Sequence, residues 1–288
     1  MAKKVFTINC GGRLLSTRKP LVMGILNVTP DSFYDGGRYF DSADAIRARA
    51  NEILEQGGDI IDVGAYSTRP GADDVTPDEE WRRLSLALDI IKKDHPDAII
   101  SVDTFRGEVA RRCVKEGGAH IINDISAYTM DPEMLPAIIE LNVPYILMHI
   151  QGVPQNMQNA PHYERDVTEE VISFLSAKLG ELSSNGVSDV IIDPGFGFGK
   201  TVDDNYKLMA DLRRFEVMER PLLVGISRKS MIYKVTGGTP AASLNGTTVL
   251  NTLSLMAGAD ILRVHDVREC VEAVDIVGRL KMQNADKQ

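Results

Sequence analysis

Eight short apolar runs in this chain each give way to residues equipped for chemistry. At these changeovers stand Asn27; Asp62, followed by Ser67-Thr68-Arg69-Pro70-Gly71; Asp103; Asn123-Asp124; Met148-His149; Asp193; Ser227-Arg228-Lys229-Ser230; and Arg263 with His265. The carboxylates of Asp103 and Asp193 suit a ligand edge rich in N–H donors, and the Asn123 amide both donates and accepts. Lys229, Arg263 and His265 suit a phosphate or a developing negative charge. The amide oxygen of Asn27 suits a hard cation such as Mg²⁺. One end of such a pocket fits a flat, nitrogen-rich ring and the other a phosphorylated group. A buried polar atom left unpaired costs ~1–3 kcal/mol, so polar groups at nearly every strand end point to a binding pocket and not to a stabilised rim. The bland reading keeps its weight at single positions: His149 reads better as a structural histidine, and Asp62 and Asp124 stay open between ligand contact and support of a neighbour.

Three loops frame these groups. After the apolar stretch that ends at Asn27, Thr29-Pro30-Asp31 forces a turn, because proline fixes its own φ and restricts the residue before it. Ser32-Phe33-Tyr34-Asp35-Gly36-Gly37 then has the composition of a mobile flap. A second flap, Ser67 to Asp74, is rich in Gly and Pro and carries Thr68, Arg69 and Pro70. Gly195-Phe196-Gly197-Phe198-Gly199-Lys200 looks like a phosphate-cradling glycine loop but lacks the Gly-Lys-Ser/Thr ending at the proper spacing. It reads as a loop that lets backbone approach a ring, with Phe198 as an aromatic wall.

The elements that must position these residues repeat. Strands are expected over 21–28, 59–65, 99–104, 120–126, 144–150, 189–194, 222–227 and 261–266. They alternate with helices over 42–56, 77–93, about 107–116, 132–141, about 167–183, 203–215, 243–257 and 267–281. Thr76 followed by Pro77 opens one helix, and Gly57-Gly58 and Gly117-Gly118 end two others. Each strand is a continuous apolar run, as expected of parallel strands covered on both faces. Eight βα units in 288 residues predict an α/β fold, a (β/α)8 TIM barrel with its active site at the C-terminal strand ends. An open doubly wound sheet is the competing arrangement, since periodicity does not reveal closure. Residues at about 5–15 alternate around Cys10-Gly11-Gly12 and predict a short N-terminal β-hairpin capping the barrel bottom. The chain is expected to be a single domain over 1–288, with its barrel at about 21–282.

Charge and composition narrow the partners. The 32 basic and 41 acidic residues give a net charge of −9, which argues against a nucleic-acid surface but not against one anion site. Hydrophobic content of 43% allows a substantial core, and no apolar run is long enough to span a membrane. Cys10, Cys113 and Cys270 are sparse and form no CxxC pair, which suggests reduced thiols in a cytoplasm, and the N-terminus lacks the apolar run of a signal peptide.

Taken in order, NVTPDSF (27–33), STRPGA (67–72), VDT (102–104), NDIS (123–126), LMH (147–149), DPGFGFGK (193–200), SRKS (227–230) and RVHD (263–266) resemble dihydropteroate synthase, the folate-pathway family inhibited by sulfonamides. The resemblance covers nearly the whole chain. It departs at Tyr66, where the family usually has a glutamate before the STRPG serine, and this bears on arylamine or inhibitor affinity. The resemblance implies a transferase of tetrahydrofolate biosynthesis that condenses p-aminobenzoate with (7,8-dihydropterin-6-yl)methyl diphosphate, giving 7,8-dihydropteroate and diphosphate. It implies small-molecule substrates, Mg²⁺, a cytoplasmic location and a homodimer formed through the late helices. Asp193 would hold the pyrimidine N–H edge of the pterin, with Asn123, Asp103 and Met148 around the ring and Lys229 facing its carbonyl and N5. Asn27, Arg263 and His265 would bind the diphosphate with Mg²⁺, and Thr68 would touch it. Ser230, Lys229, Phe198 and Pro70 would form the arylamine side, with Phe33 and Arg69 contributed by the flaps. Asp103, Lys229, Arg263 and His265 form the implied catalytic set. A barrel that transfers a methyl group from methyltetrahydrofolate would need neither the NVTPDSF flap, the SRKS lysine nor the RVHD anion site. A non-catalytic pterin-binding paralogue would show degraded diphosphate residues, and Asn27, Lys229, Arg263 and His265 are all present.

Overall fold

A computed structural model describes residues 4–29, 42–66, 75–154, 157 and 161–285. The chain opens with an antiparallel hairpin, β1 (Thr7–Cys10) and β2 (Arg13–Ser16). Its turn uses Gly11 and Gly12 at φ of +62° and +90°, a conformation that side chains disfavour. The main sheet follows as β3 (Leu21–Asn27), β4 (Ile60–Gly64), β5 (Ile99–Asp103), β6 (Ile121–Asp124), β7 (Tyr145–Met148), β8 (Val190–Asp193), β9 (Leu223–Val224) and β10 (Ile261–Val264). Between and after them come α1 (Ala43–Glu55), α2 (Pro77–Asp94), α3 (Gly107–Lys115), α4 (Met134–Leu141), α5 (Val167–Ser184), α6 (Val202–Ala210), α7 (Ser230–Thr236), α8 (Leu244–Ala257) and α9 (Val267–Ala285).

Strands pair in parallel in the order β8-β7-β6-β5-β4-β3-β10-β9. A parallel bridge between Ile192 and Leu222 joins the two end strands, and the Ile192 N–H donates to the Pro221 carbonyl at 2.9 Å. The sheet therefore closes, which decides for the barrel over the open sheet. Alternation of side chains across each strand divides the core in two. Outward residues such as Val22, Ile61, Val102, Ile122, Leu147, Ile192 and Leu262 pack in the layer shared with the helices. Inward residues Leu21, Met23, Ile60, Ile99, Ile121, Ile146, Ile191, Leu223 and Ile261 fill the bottom of the barrel, sealed by Ile8 and Cys10 of the hairpin.

Three expectations needed correction. The strand expected over 222–227 keeps only Leu223–Val224 in the ladder, because the chain turns at Arg228, φ +58°, into α7, a helix beyond the eight expected. The helix expected over 203–215 ends at Ala210 and tightens into a 3-10 segment, Leu212–Met218. Three residues per turn place Leu212 and Phe215 on one side, and both are buried. The N-terminus of α2 forms as read: Pro77 takes the first position and the Thr76 hydroxyl accepts the Glu79 N–H at 3.3 Å.

Candidate active site

The inward alternation that begins with apolar residues at the bottom ends in polar ones at the top, except on β7, where it ends in Met148. Met23 leads to Asn27, Ile60 to Asp62, Ile99 to Asp103, Ile121 to Asn123, Ile146 to Met148, Ile191 to Asp193, and Ile261 to Arg263 and His265. Every one of these steps is an even number of residues, so the polar groups share the face of the inner core. Asp124, His149 and Arg228 fall on the other parity and do other work.

Arg263 organises the centre. Its Nε donates to Asp62 Oδ2 at 2.6 Å and its Nη2 to Asp103 Oδ2 at 2.7 Å. Asn123 Nδ2 donates to the same Asp62 carboxylate at 3.2 Å. The Asp62 side chain is fully buried, whereas those of Arg263 and Asp103 are about one-fifth exposed. Asp62 thus braces Arg263 and Asn123 from a fully buried position, as a supporting residue would. Burial pushes Asp103 up to about 7, against the pull of Arg263 and with the repulsion of Asp62 and Glu80.

A second group lies across the barrel. The Asp193 carboxylate accepts the Gly195 N–H at 2.7 Å, and burial raises its pKa against the attraction of Lys229. Lys229 caps the start of α7, donates from Nζ to the Phe196 carbonyl at 2.6 Å and stands 4.6 Å from the centre of the Phe198 ring. Burial draws Lys229 down to about 8, with Asp193 opposing. Met148 and Phe198 belong to an apolar patch with Ile125, Ile150 and Met157 beside these charges. Ser230, the first residue of α7, is half-buried next to Lys229.

The third group lies near the barrel's seam. Ser227 Oγ is 3.0 Å from His265 Nδ1 and accepts the His265 N–H at 3.2 Å. Arg49 of α1 donates from Nη2 to the His265 carbonyl at 2.6 Å and from Nε to the Ile25 carbonyl at 3.2 Å. It ties the mouth of β3, where Asn27 sits, to the segment after β10. Gly64 is the cross-strand neighbour of Asn27, and a Cβ there would come within 3.2 Å of the Asn27 amide oxygen. Glycine at this position leaves room beside that oxygen.

The remaining candidates are structural. Asp124 accepts four bonds, from the Ser126 N–H and hydroxyl, the Tyr128 N–H and the Tyr145 hydroxyl, each at 2.7 Å. Those bonds hold Ala127 and Tyr128 at positive φ. Arg228 chelates Asp266 at 2.9 and 2.5 Å and donates to the Pro240 and Ala241 carbonyls, so it fastens the SRKS segment to the RVHD segment. His149 is buried, edge-on to Phe174 at 5.0 Å, and held well below the usual imidazole range by burial. Phe33, Thr68, Arg69 and Pro70 lie outside the described residues. Arg49 was missed in the sequence, although an arginine on the otherwise apolar face of Ile46, Ala50 and Ile53 was a signal for it. Lys200 was read only as part of a glycine loop.

Residues 23–265 match the family model for pterin-binding enzymes. The dihydropteroate synthase of Escherichia coli strain K12 is 44% identical over 268 residues, covering 92% of this chain and 93% of that protein. The chain belongs to the dihydropteroate synthase family. The Yersinia pestis dihydropteroate synthase, solved as a complex with a sulfonamide drug, superposes with a TM-score of 0.91 at 38% identity, over 96% of this chain and all of that one. The Xanthomonas albilineans dihydropteroate synthase, solved with 7,8-dihydropteroate, gives 0.81 at 34% identity over 96% of this chain and 98% of that one. Pockets at the strand ends are where barrels of this type carry their chemistry.

Proposed function

We infer that the inward polar groups bind a dihydropterin diphosphate edge-on and hold it for attack by p-aminobenzoate. The reaction is the family's condensation of (7,8-dihydropterin-6-yl)methyl diphosphate with p-aminobenzoate to 7,8-dihydropteroate and diphosphate. The observation that carries the residue roles is the unbroken inward parity from Met23, Ile99, Ile191 and Ile261 to Asn27, Asp103, Asp193 and Arg263. Asp193 accepts the N–H edge of the pyrimidine, Asn123 and Asp103 lie around the rest of the ring, and Met148 covers its face. Lys229 meets the ring carbonyl and N5. On the leaving-group side, Arg263 has Nη1 outside its two carboxylate bonds, and His265 follows two residues later, held by Ser227. Departure of diphosphate leaves positive charge spread over the ring, which the Asp103 carboxylate stabilises, while Arg263 and His265 stabilise the anion. The neutral aniline nitrogen is already a nucleophile, so no strong base is needed. Lys229, Phe198 and Ser230 line the arylamine side.

Among the described residues no group of three His, Cys, Asp or Glu could hold a metal ion. Mg²⁺ keeps waters and binds through one or two protein oxygens plus substrate phosphates. Asn27 would supply that oxygen, and the ion, when bound, neutralises charge on the leaving diphosphate. A homodimer is supported by the exposed Val249, Leu253 and Met256 of α8 and Ile276 and Leu280 of the neighbouring α9. The three cysteines are free and buried, which supports a reducing cytoplasm, and the closed eight-stranded barrel supports a chain working as one domain; no helix among the described residues is long and apolar enough to cross a membrane. Incubation with both substrates and Mg²⁺ should release dihydropteroate and diphosphate in equal amounts. Tight pterin binding without turnover would instead identify a non-catalytic paralogue.

A further inference from the structure

The lysine that ends the glycine loop has the sequence appearance of a phosphate ligand, yet its side chain is buried, 3% exposed, and turned into the protein. Its Nζ lies 2.8 Å from the Gly195 carbonyl, 3.1 Å from the Phe198 carbonyl and 2.9 Å from His149 Nδ1. These three partners surround Nζ and leave no donor for a phosphate. We infer that Lys200 is a positioning residue for the pterin edge: it fixes the loop whose backbone orients both Asp193 and Lys229.

Side-chain packing holds this loop only in part, through the buried Phe196, because three of its six residues are glycine and it folds back on the segment after β7. A Cβ on Gly195, φ +70°, would lie 1.9 Å from the His149 carbonyl oxygen, and one on Gly199, φ +65°, 2.4 Å from that of Gln151. Glycine gives this close approach at the expense of stiffness, since it loses the most conformational freedom on ordering. Asn205 takes the Gly197 N–H at 2.7 Å and the Tyr163 hydroxyl donates to the Gly199 carbonyl at 2.9 Å, and Lys200 adds the restraint on the Gly195 and Phe198 carbonyls. Gly195 offers its N–H to Asp193 and its carbonyl to Lys200, so one residue transmits the restraint from ammonium to carboxylate. The Phe196 carbonyl takes Lys229, and the Phe198 ring faces the same ammonium, while the Phe198 carbonyl is anchored by Lys200. Every group that orients Asp193 and Lys229 in this loop therefore lies within one residue of a carbonyl held by Lys200. His149 completes the cradle as a neutral ring. Burial, and then the neighbouring Lys200, holds its pKa well below the usual range, so Nδ1 accepts and the ring proton sits on Nε2.

The inference rests on the assignment of Asp193 and Lys229 to the pterin. Lys200→Met keeps the stem and removes the three donors. Calorimetry with a pterin lacking diphosphate should show affinity weakened tenfold or more, and the Gly195 to Phe198 amides should exchange faster with solvent. Affinity for inorganic diphosphate with Mg²⁺, bound at the other end of the pocket, should stay within twofold. Equal weakening of both ligands would mean a merely structural lysine and overturn the inference, as would pterin affinity within twofold of the parent. Where Lys200→Met fails to fold, the His149 pair serves: His149→Leu should weaken pterin binding about threefold, and His149→Gln, which keeps an acceptor, should restore it. Equal affinities for these two variants would also overturn the inference. Asp193→Asn separates the levels. Unchanged pterin affinity in that variant defeats the pterin assignment itself, whereas a loss there with none in the Lys200 variant defeats only the positioning role.

Discussion

The two ends of this barrel are built on the same strands and the same side-chain parity, and they answer to opposite physics. At the bottom, Met23, Ile60, Ile99, Ile121, Ile146 and Ile261 meet Ile8 and Cys10 in a sealed apolar layer. Each buried aliphatic side chain there contributes ~1.5–3 kcal/mol relative to exposure. Two to four residues further along, the inward positions hold Asp62, Asp103, Asn123, Asp193 and Arg263. Burial there works against charge: Asp103 is lifted to about 7 and Lys229 lowered to about 8. The bottom holds the fold, and the top holds groups that a ligand would complete.

The largest effect should therefore be at the bottom. Met23→Ala removes a fully buried side chain and should cost ~2–5 kcal/mol in urea unfolding, with kcat/KM unchanged well below the melting temperature. A large loss of pterin affinity in the still-folded variant would show that the two layers are not separable. Asp193→Asn should do the reverse. It replaces an acceptor of ring N–H bonds by an amide that offers one N–H to another, so pterin binding should fall by more than ~2 kcal/mol. The melting temperature should hold or rise, because a desolvated carboxylate is removed.

Titration sharpens the contrast. As pH falls through about 7, Asp103 gains a proton and loses the charge that stabilises the ring; as pH rises through about 8, Lys229 loses one. The kcat/KM for the pterin diphosphate should be bell-shaped between these limbs, and Asp103→Asn should flatten the acid limb. Stability runs the other way. Between the usual carboxylate value of 3.8 and about 7, the folded protein binds the Asp103 proton more tightly than the unfolded chain does. Its contribution to stability falls as pH rises through that window. The difference in urea midpoint between parent and Asp103→Asn, measured at pH 5 and pH 7, reads this directly; a gap that did not widen in the variant's favour at the higher pH would contradict it.

Asn27→Ala should be milder and local. It should weaken Mg²⁺-dependent diphosphate binding several-fold in calorimetry and leave a pterin without diphosphate unaffected. Equal losses for both would make Asn27 a structural strand end.

The top of the barrel was legible because continuous apolar runs mark buried parallel strands, and the first polar residue after each run marks its mouth. Asp103, Asn123, Asp193 and Arg263 were found that way without any knowledge of pairing. Closure was not legible, since a two-residue β9 and a bridge at Leu222 leave no periodic trace. Nor were partnerships across the chain: Arg263 meets Asp62 from 201 positions away, and Arg49 meets His265 from 216. Nor was the role of Lys200: the sequence shows a glycine loop suited to approach a ring, and only the fold shows Lys200 Nζ against Gly195, Phe198 and His149.

The smallest effect is expected at Tyr66, the departure from the family pattern. Its ring stands edge-on to Phe105 at 5.1 Å, and the Arg106 guanidinium lies 5.2 Å from its centre and 4.9 Å from that of Phe105. Arg106 is pinned from the other side by Glu80, 2.5 Å away, a fully buried carboxylate that also accepts the Thr104 hydroxyl at 2.7 Å. Tyr66→Glu would exchange a ring contact worth ~0.5–1.5 kcal/mol for a carboxylate reaching Arg106 from the solvent side, worth up to ~1 kcal/mol. Stability should move by less than ~1 kcal/mol. Pterin affinity should stay within twofold, while p-aminobenzoate or sulfonamide affinity shifts a few-fold, both by calorimetry. The acid limb of the pH profile supplies a finer test. Glu80 repels charge on Asp103, and Arg106 covers Glu80. If the new carboxylate draws Arg106 away, Asp103 should rise further and the acid limb should move to higher pH. An unmoved limb with altered pterin affinity would show that this cluster reaches the ring by some route other than Asp103.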